Sequence, residues 1–310
     1  MRIVAALGGN ALLERGESPD AEIQEHHVQR AVEALAPLCR EHDVVVTHGN
    51  GPQVGLLAVE SDADPALTRG YPLDALGAQT QGMIGYWLAQ AMHNAAPARA
   101  FAALVCQTVV DGKDPAFAEP SKFVGQVYSE ERAEQLAAER GWDVRADGAN
   151  WRRVVPSPQP HEIVELAVIE RLLGEGTGVI CCGGGGIPVV RSHDGVLCGV
   201  EAVIDKDRTA ALLAVQLGAD ALVILTDVAV VELDYGTPAA RPLHRVSVGE
   251  LRRHSFPAGS MGPKIESACT FVEATGRMAG IGRLEDAVSI TRGTAGTIVV
   301  PTSVSDSRVA

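Results

Sequence analysis

The chain is rich in arginine and almost empty of lysine. Of its 26 basic residues only four are lysines: Lys113, Lys122, Lys206 and Lys264. Arginine suits planar, bidentate contacts, whereas a lysine ammonium is a compact point charge able to follow a moving phosphoryl group. Codon preference explains any one of these lysines equally well, so their surroundings must separate them. Lys264 lies in "GSMGPKIESA", a glycine-rich loop followed by Pro263 opening a helix, with the lysine in the first turn. A cation there opposes the helix dipole, so helix stability does not select it, whereas a bound anion does. Lys206 lies in "EAVIDKDRTA" between Asp205 and Asp207, and the apolar residues before it favour a partly buried helix start over a surface charge cluster. Lys122 stands in "EPSKFVG", while Lys113, in "DGKD", reads as an ordinary solvated turn.

Glycine turns supply the other half of an anion site. The opening run "RIVAALGGNAL" ends a strand in Gly8-Gly9-Asn10, yet nothing after Arg2 is basic until Arg15. Any compensating cation must therefore come from elsewhere. The run "DVVVTH" ends in Gly49-Asn50-Gly51, with Pro52 at a first helical position, and "VICC" ends in Gly183 to Gly186. In an open α/β sheet ligands bind beyond the carboxyl ends of the strands. Glycine lets backbone amides converge on phosphate oxygens there, and the following helix adds its dipole. One such turn alone is an ordinary tight turn; three in one sheet point to an oxyanion. None matches the P-loop or the dinucleotide Gly-x-Gly-x-x-Gly pattern.

The elements that must position these residues alternate between apolar strands and helical stretches, which predicts a parallel sheet covered on both faces. Strands are expected at 2–7, 43–48, 100–110, 178–182, 221–228 and 296–300. Helical spacing places Leu166, Ile169 and Leu173 on one face, and Ile265, Ala268, Cys269 and Val272 on another. "LGAQTQGMIGYWLAQAM" reads as a helix whose three glycines allow close packing against a neighbour or an approaching ligand. Residues of about 112–158, rich in proline, aromatics and charge, leave the alternation and read as a lid or small subdomain. "WRRVV" reads as one of its strands, on which Arg152 and Arg153 could face a phosphate, although a solvated strand face is the favoured reading.

Composition bounds the function classes. The 310 residues, 46% hydrophobic and 21% charged, are those of an ordinary globule of one large domain or two packed lobes. A net charge of −13 argues against nucleic acid or an anionic membrane surface as the partner, but leaves a small anionic ligand open. Six scattered cysteines, two of them adjacent, fit neither a disulfide framework nor a zinc site. No run approaches the ~18 apolar residues of a membrane span and no secretory signal is visible, so the expected location is cytoplasmic.

Taken together, "ALGGNAL", "THGNGPQVG", "QTQGMIGY", "DPAF", "RVVPSP", "CGGGGIPV", "EAVIDKD", "LTDV" and "GSMGPKIESA" closely resemble the carbamate kinases of the amino-acid kinase superfamily. The likeness runs over essentially the whole chain, in order. It implies a three-layer αβα sandwich around a mainly parallel sheet, as a single amino-acid kinase domain over 1–310. Within it, an acceptor lobe of about 1–215 carries the protruding subdomain, and a nucleotide lobe spans about 216–310. It implies a homodimer, and reversible phosphoryl transfer between ATP and carbamate giving ADP and carbamoyl phosphate, with Mg²⁺. Lys206 and Lys264 would contact the phosphoryl group in flight, with Asp207 holding lysines in position or touching Mg²⁺ through water; the metal ligands stay open. Many superfamily relatives carry a lysine on the first strand, where this chain and the carbamate kinases have alanine, here Ala6. In carbamate kinases a subdomain lysine reaches the site instead, and Lys122 matches it. Gly8, Gly9, Asn10, Gly49, Asn50 and Gly51 would hold carbamate; Thr226, Asp227, Tyr235, Met261, Gly262 and Lys264 would hold the nucleotide. The chain departs from the pattern at Phe123, where the family usually has proline, and this leaves the backbone of Lys122 less restricted. A different acceptor within the superfamily, or a non-catalytic nucleotide sensor, are the competing readings.

Overall fold

A computed structural model describes residues 1–302 apart from Arg15 and Ala258. The chain opens with β1 (Arg2–Leu7), α1 (Ala21–Glu41) and β2 (Asp43–His48), followed by α2 (Gly51–Ala63), α3 (Leu73–Ala95) and β3 (Phe101–Ala103). It then leaves the main sheet to build β4 (Lys122–Tyr128), α4 (Glu130–Arg140), β5 (Asp143–Asp147) and β6 (Asn150–Val155). These strands form a separate antiparallel sheet in the order β4-β6-β5. The return runs through α5 (Leu166–Gly174), β7 (Gly178–Ile180), α6 (Lys206–Gln216), β8 (Ala221–Thr226), α7 (Met261–Thr275), β9 (Met278–Arg283) and β10 (Thr297–Val300).

The main sheet has eight strands in the order Arg245–Ser247, β10, β9, β8, β1, β2, β7, β3, and every pairing but β9–β10 is parallel. Period-two alternation divides its side chains between two cores. Val4, Ala6, Val45, Leu222 and Ile224 face Ala210, Leu213, Ile265 and Phe271 of α6 and α7. Ile3, Ala5, Leu7, Val44, Val46, Val223 and Leu225 face Val28, Leu35, Ile84 and Leu88 of α1 and α3. This is the αβα sandwich. No helix among the described residues is long and apolar enough to cross a membrane.

Several local expectations need correction. The run 100–110 is two strands in different sheets: β3 ends at Ala103, and Gln107–Val110 joins a four-stranded sheet. The break comes where Cys106 turns its amide to Gln81 Oε1 (2.8 Å) and its carbonyl to Gln81 Nε2 (3.1 Å) and the Ile187 amide. Strand β7 stops at Ile180, and Cys182 takes a left-handed φ of 53°. Helix α7 begins at Met261, two residues before Pro263. Of the three glycines read in α3, only Gly85 is needed for packing, against Ala103 at 3.0 Å from its would-be Cβ. All six cysteines are free thiols.

Candidate active site

Because β8, β1, β2 and β7 are adjacent and parallel, their carboxyl ends lie side by side on one edge. Thr226-Asp227, Gly8–Asn10, Gly49–Gly51 and Gly183–Gly186 therefore share that edge. The first two glycine turns touch: a Cβ on Gly49 would lie 2.9 Å from the Gly9 nitrogen and 3.5 Å from Lys206 Cδ. The amides of Gly8 and Gly49 are already bonded, to the carbonyls of Leu225 (2.9 Å) and Leu7 (3.1 Å). Those two glycines shape the turns rather than offer donors. The amides of Gly9, Asn10, Asn50 and Gly51 have no acceptor among the described residues.

Asn50 turns its side chain inward, donating from Nδ2 to Thr80 Oγ1 at 2.8 Å. Asn10 Nδ2 instead reaches across the edge to Asp227 Oδ2 at 3.1 Å, linking the β1 turn to the end of β8. The four-glycine turn is no open phosphate cradle. It is fully buried, with the Gly185 carbonyl accepting from both Thr108 and Thr209 hydroxyls at 2.9 Å. A side chain at Gly184 would strike the Asn50 carboxamide at 2.2 Å. Its glycines exist so that α3, α6 and β2 can close over it.

Three of the four lysines converge at the start of α6. Lys122 Nζ lies 2.7 Å from Asp205 Oδ2, and Lys264 Nζ lies 3.0 Å from Asp207 Oδ2. Lys206 Nζ bonds Asp207 Oδ1, so Asp207 bridges two ammonium groups. Asp205 also caps α6, with Oδ1 accepting the amides of Asp207 (2.9 Å) and Arg208 (3.4 Å). Three cations against two carboxylates leave one net positive charge, in a chain whose total is −13. Burial pushes the Asp207 carboxyl up, but Lys206 and Lys264 more than reverse this, and it ionises below its ordinary range. Asp205, also buried, is held well below that range chiefly by the Lys122 ammonium. Lys206 is pulled below the usual lysine range by burial, with Asp207 opposing and Lys264 adding to the shift.

His48 closes β2 beneath this cluster. Its Nδ1 donates to the Gly49 carbonyl at 2.9 Å, and burial pulls its pKa down to about 4, so it stays neutral. Neither His48 nor Asp205 was singled out from sequence. The signal for Asp205 was present, an aspartate immediately before a helix start, the position where a carboxylate caps. Asp227 ionises below its ordinary range: burial opposes this, while the Asn10 carboxamide and the Thr226 hydroxyl favour it. Met261 and Gly262 open α7 beside Lys264, and Tyr235 stands 73% exposed in the turn after Val231–Leu233. No hydrogen bond among the described residues ties Tyr235 to the lysines. Arg152 bonds the Gly125 carbonyl and Asp147 within the small sheet, while Arg153, stacked on the Trp142 ring, pairs with Glu201 outside it. Lys113 is exposed in a turn.

Residues 1–281 match the amino acid kinase family. The chain is 51% identical over 302 residues to the carbamate kinase of Rhizobium meliloti, covering 96% of this chain and 93% of that protein. This chain belongs to the amino acid kinase family, in its carbamate kinase branch. A second member, the carbamate kinase of Haemophilus influenzae, is 48% identical, with 96% of each chain covered. The carbamate kinase from Giardia lamblia bound to AMP-PNP superposes with a TM-score of 0.89 at 41% identity, over 97% of this chain and 98% of that one. The fold expected for a carbamate kinase is therefore the fold present.

Proposed function

We propose that the chain transfers a phosphoryl group reversibly between ATP and carbamate, giving ADP and carbamoyl phosphate. The observation that carries this is the meeting of Lys122, Lys206 and Lys264 on two aspartates at the sheet edge, beside turns with unbonded amides. The carbamate kinase relatives supply the acceptor. Carbamate, small and planar, would sit on the amides of Gly9, Asn10, Asn50 and Gly51, with Gly8 and Gly49 shaping the turns. The nucleotide would lie over Thr226, Asp227, Tyr235, Met261 and Gly262, at the ends of β8 and α7.

Phosphoryl transfer asks little covalent work of a protein, so positioning and charge carry catalysis. Each of the three ammonium groups is paired with an aspartate. An incoming phosphoryl group competes for them, and Asp207 keeps Lys206 and Lys264 apart at a fixed spacing. At ~4 Å and an effective dielectric near 20, each ammonium contributes at most about 4 kcal/mol toward the transferring group, without simple additivity. Among the described residues no cluster of three or more His, Cys, Asp or Glu forms a metal cage. An Mg²⁺ carried in on the nucleotide would be held mostly by phosphate and water and would neutralise phosphate charge. Asp227, the edge carboxylate with no lysine hydrogen-bonded to it, would be its protein contact.

A coupled assay of ATP formation from ADP and carbamoyl phosphate tests the reading, run beside acetyl phosphate. Turnover with carbamoyl phosphate well above that with acetyl phosphate is expected. Preference for another phosphoryl donor would point to a different acceptor on the same fold, and nucleotide binding without turnover would point to a sensor.

A further inference from the structure

The strand that carries Lys122 is seated on α2 where two glycines meet. A Cβ on Gly55 would stand 2.6 Å from the Gly125 Cα and 2.8 Å from its nitrogen. Gly125 has a left-handed φ of 73° and lies in the register shift of β4 between Val124 and Val127. Around the contact Val54, Leu73, Leu76, Val124 and Val155 form a small apolar core separate from the two main ones. A cleft lined by Val54, Ala58, Leu73, Val124, Tyr128 and Trp142 leaves this joint incompletely filled. At the start of the same strand, Lys122 meets Asp205. The lysine side chain is 36% exposed and the aspartate 10%, and Asp205 is fixed independently by capping α6.

We propose that β4 delivers Lys122 through a two-point mount: the Gly55–Gly125 contact on α2 and the Asp205 carboxylate at the head of α6. Gly55 and Asp205 are then positioning residues, acting through Lys122. The proposal rests on the reading of Lys122 as a group that contacts the transferring phosphoryl. A strand rises ~3.3 Å per residue, so the seat lies about 10 Å from Lys122 along a stiff pleated segment. Displacing the seat by one methyl group would move the ammonium by a similar amount, and a misplacement of ~1 Å is enough to cost about 10²-fold in rate.

Gly55→Ala tests the first point, because alanine favours helix α2 itself and disturbs only the contact with β4. Asp205→Asn tests the second, because asparagine still caps α6 but offers Lys122 no charge. In ATP formation from ADP and carbamoyl phosphate, each should lower kcat about 10–100-fold with the KM for ADP within about twofold of the parent. Combined with Lys122→Ala, Gly55→Ala should add no further loss, and Asp205→Asn should add less than its loss alone, because its carboxylate also faces the Lys206 ammonium. Full activity in either folded variant, or losses that multiply with that of Lys122→Ala, would overturn the mount. Failure of Gly55→Ala to fold would also overturn it, by making the contact a folding element. Full activity of Lys122→Ala alone sinks the catalytic reading of that lysine instead, so the two failures are distinguishable.

Discussion

Asp207 spends both carboxylate oxygens on ammonium groups, and Asp205 divides its own between an ammonium and two backbone amides. Each of the three lysines is thus held by a carboxylate. Lys206→Ala and Lys264→Ala should each lower kcat by about 10²–10³ with the fold retained, the scale of losing one preorganised donor. Near-parental turnover of either purified variant would remove that lysine from the mechanism. Lys206→Arg should also be poor, because a planar fork does not replace a compact ammonium in a site only 12% exposed. Burial also makes Lys206 give up its proton at a lower pH than a free lysine. The alkaline fall in kcat should therefore begin below the ordinary lysine value of ~10.4, and a profile flat through that pH would exclude Lys206 as its source.

His48 gives a second pH test, of stability. Its folded pKa of about 4 lies below the unfolded value of ~6.5, so between them the unfolded chain binds more protons. The stability contributed by neutral His48 is present above that window and is lost as pH falls through it. Between pH 7.5 and pH 5 the parent should lose about 2 kcal/mol more than His48→Gln, measured by urea unfolding. Parallel losses in the two proteins would mean that the imidazole is not kept neutral.

At the scale of elements, the site is made of helix starts and strand ends. Lys206 is the first residue of α6 and Lys264 lies in the first turn of α7, where the dipole opposes a cation. Asp205 and Asp207 offset that opposition. The excursion is tied to the rest by a small apolar core, by Arg140–Asp62 and Arg153–Glu201, and by Lys122–Asp205. Exposed ion pairs contribute little each, so segment 112–158 should exchange its amides faster than β1, β2 and β8. Protection around β4 should rise when ADP and carbamoyl phosphate bind together. Equal protection with and without ligand would argue for a static ornament.

At the scale of the whole molecule, we place the homodimer implied by the resemblance to carbamate kinases at the edge of the main sheet, as a proposal. Among the described residues strand β3 pairs only with β7, and Tyr86 and Val105 are exposed. Light scattering should give about twice the 32.5 kDa protomer mass, falling toward one protomer in Tyr86→Glu; a parent already at 32.5 kDa would remove the dimer. The amino-acid sequence by itself determined the strands that are continuous apolar runs, β1, β2 and β8, because both their faces are buried and their burial is written in every residue. It likewise marked three of the four rare lysines by their surroundings and two of the glycine turns by their place at strand ends. It hid β9, which is interrupted by Gly280 and Gly282, glycines required because Ile290 presses on them, at 2.2 and 2.8 Å from a would-be Cβ. Only the tertiary structure decided that the four-glycine turn is packing, that Gly8 and Gly49 have no amide to offer, and that Asp205 receives Lys122. Those facts depend on partners far away in the chain, 83 residues for Lys122 and Asp205, and local pattern carries no record of a distant neighbour.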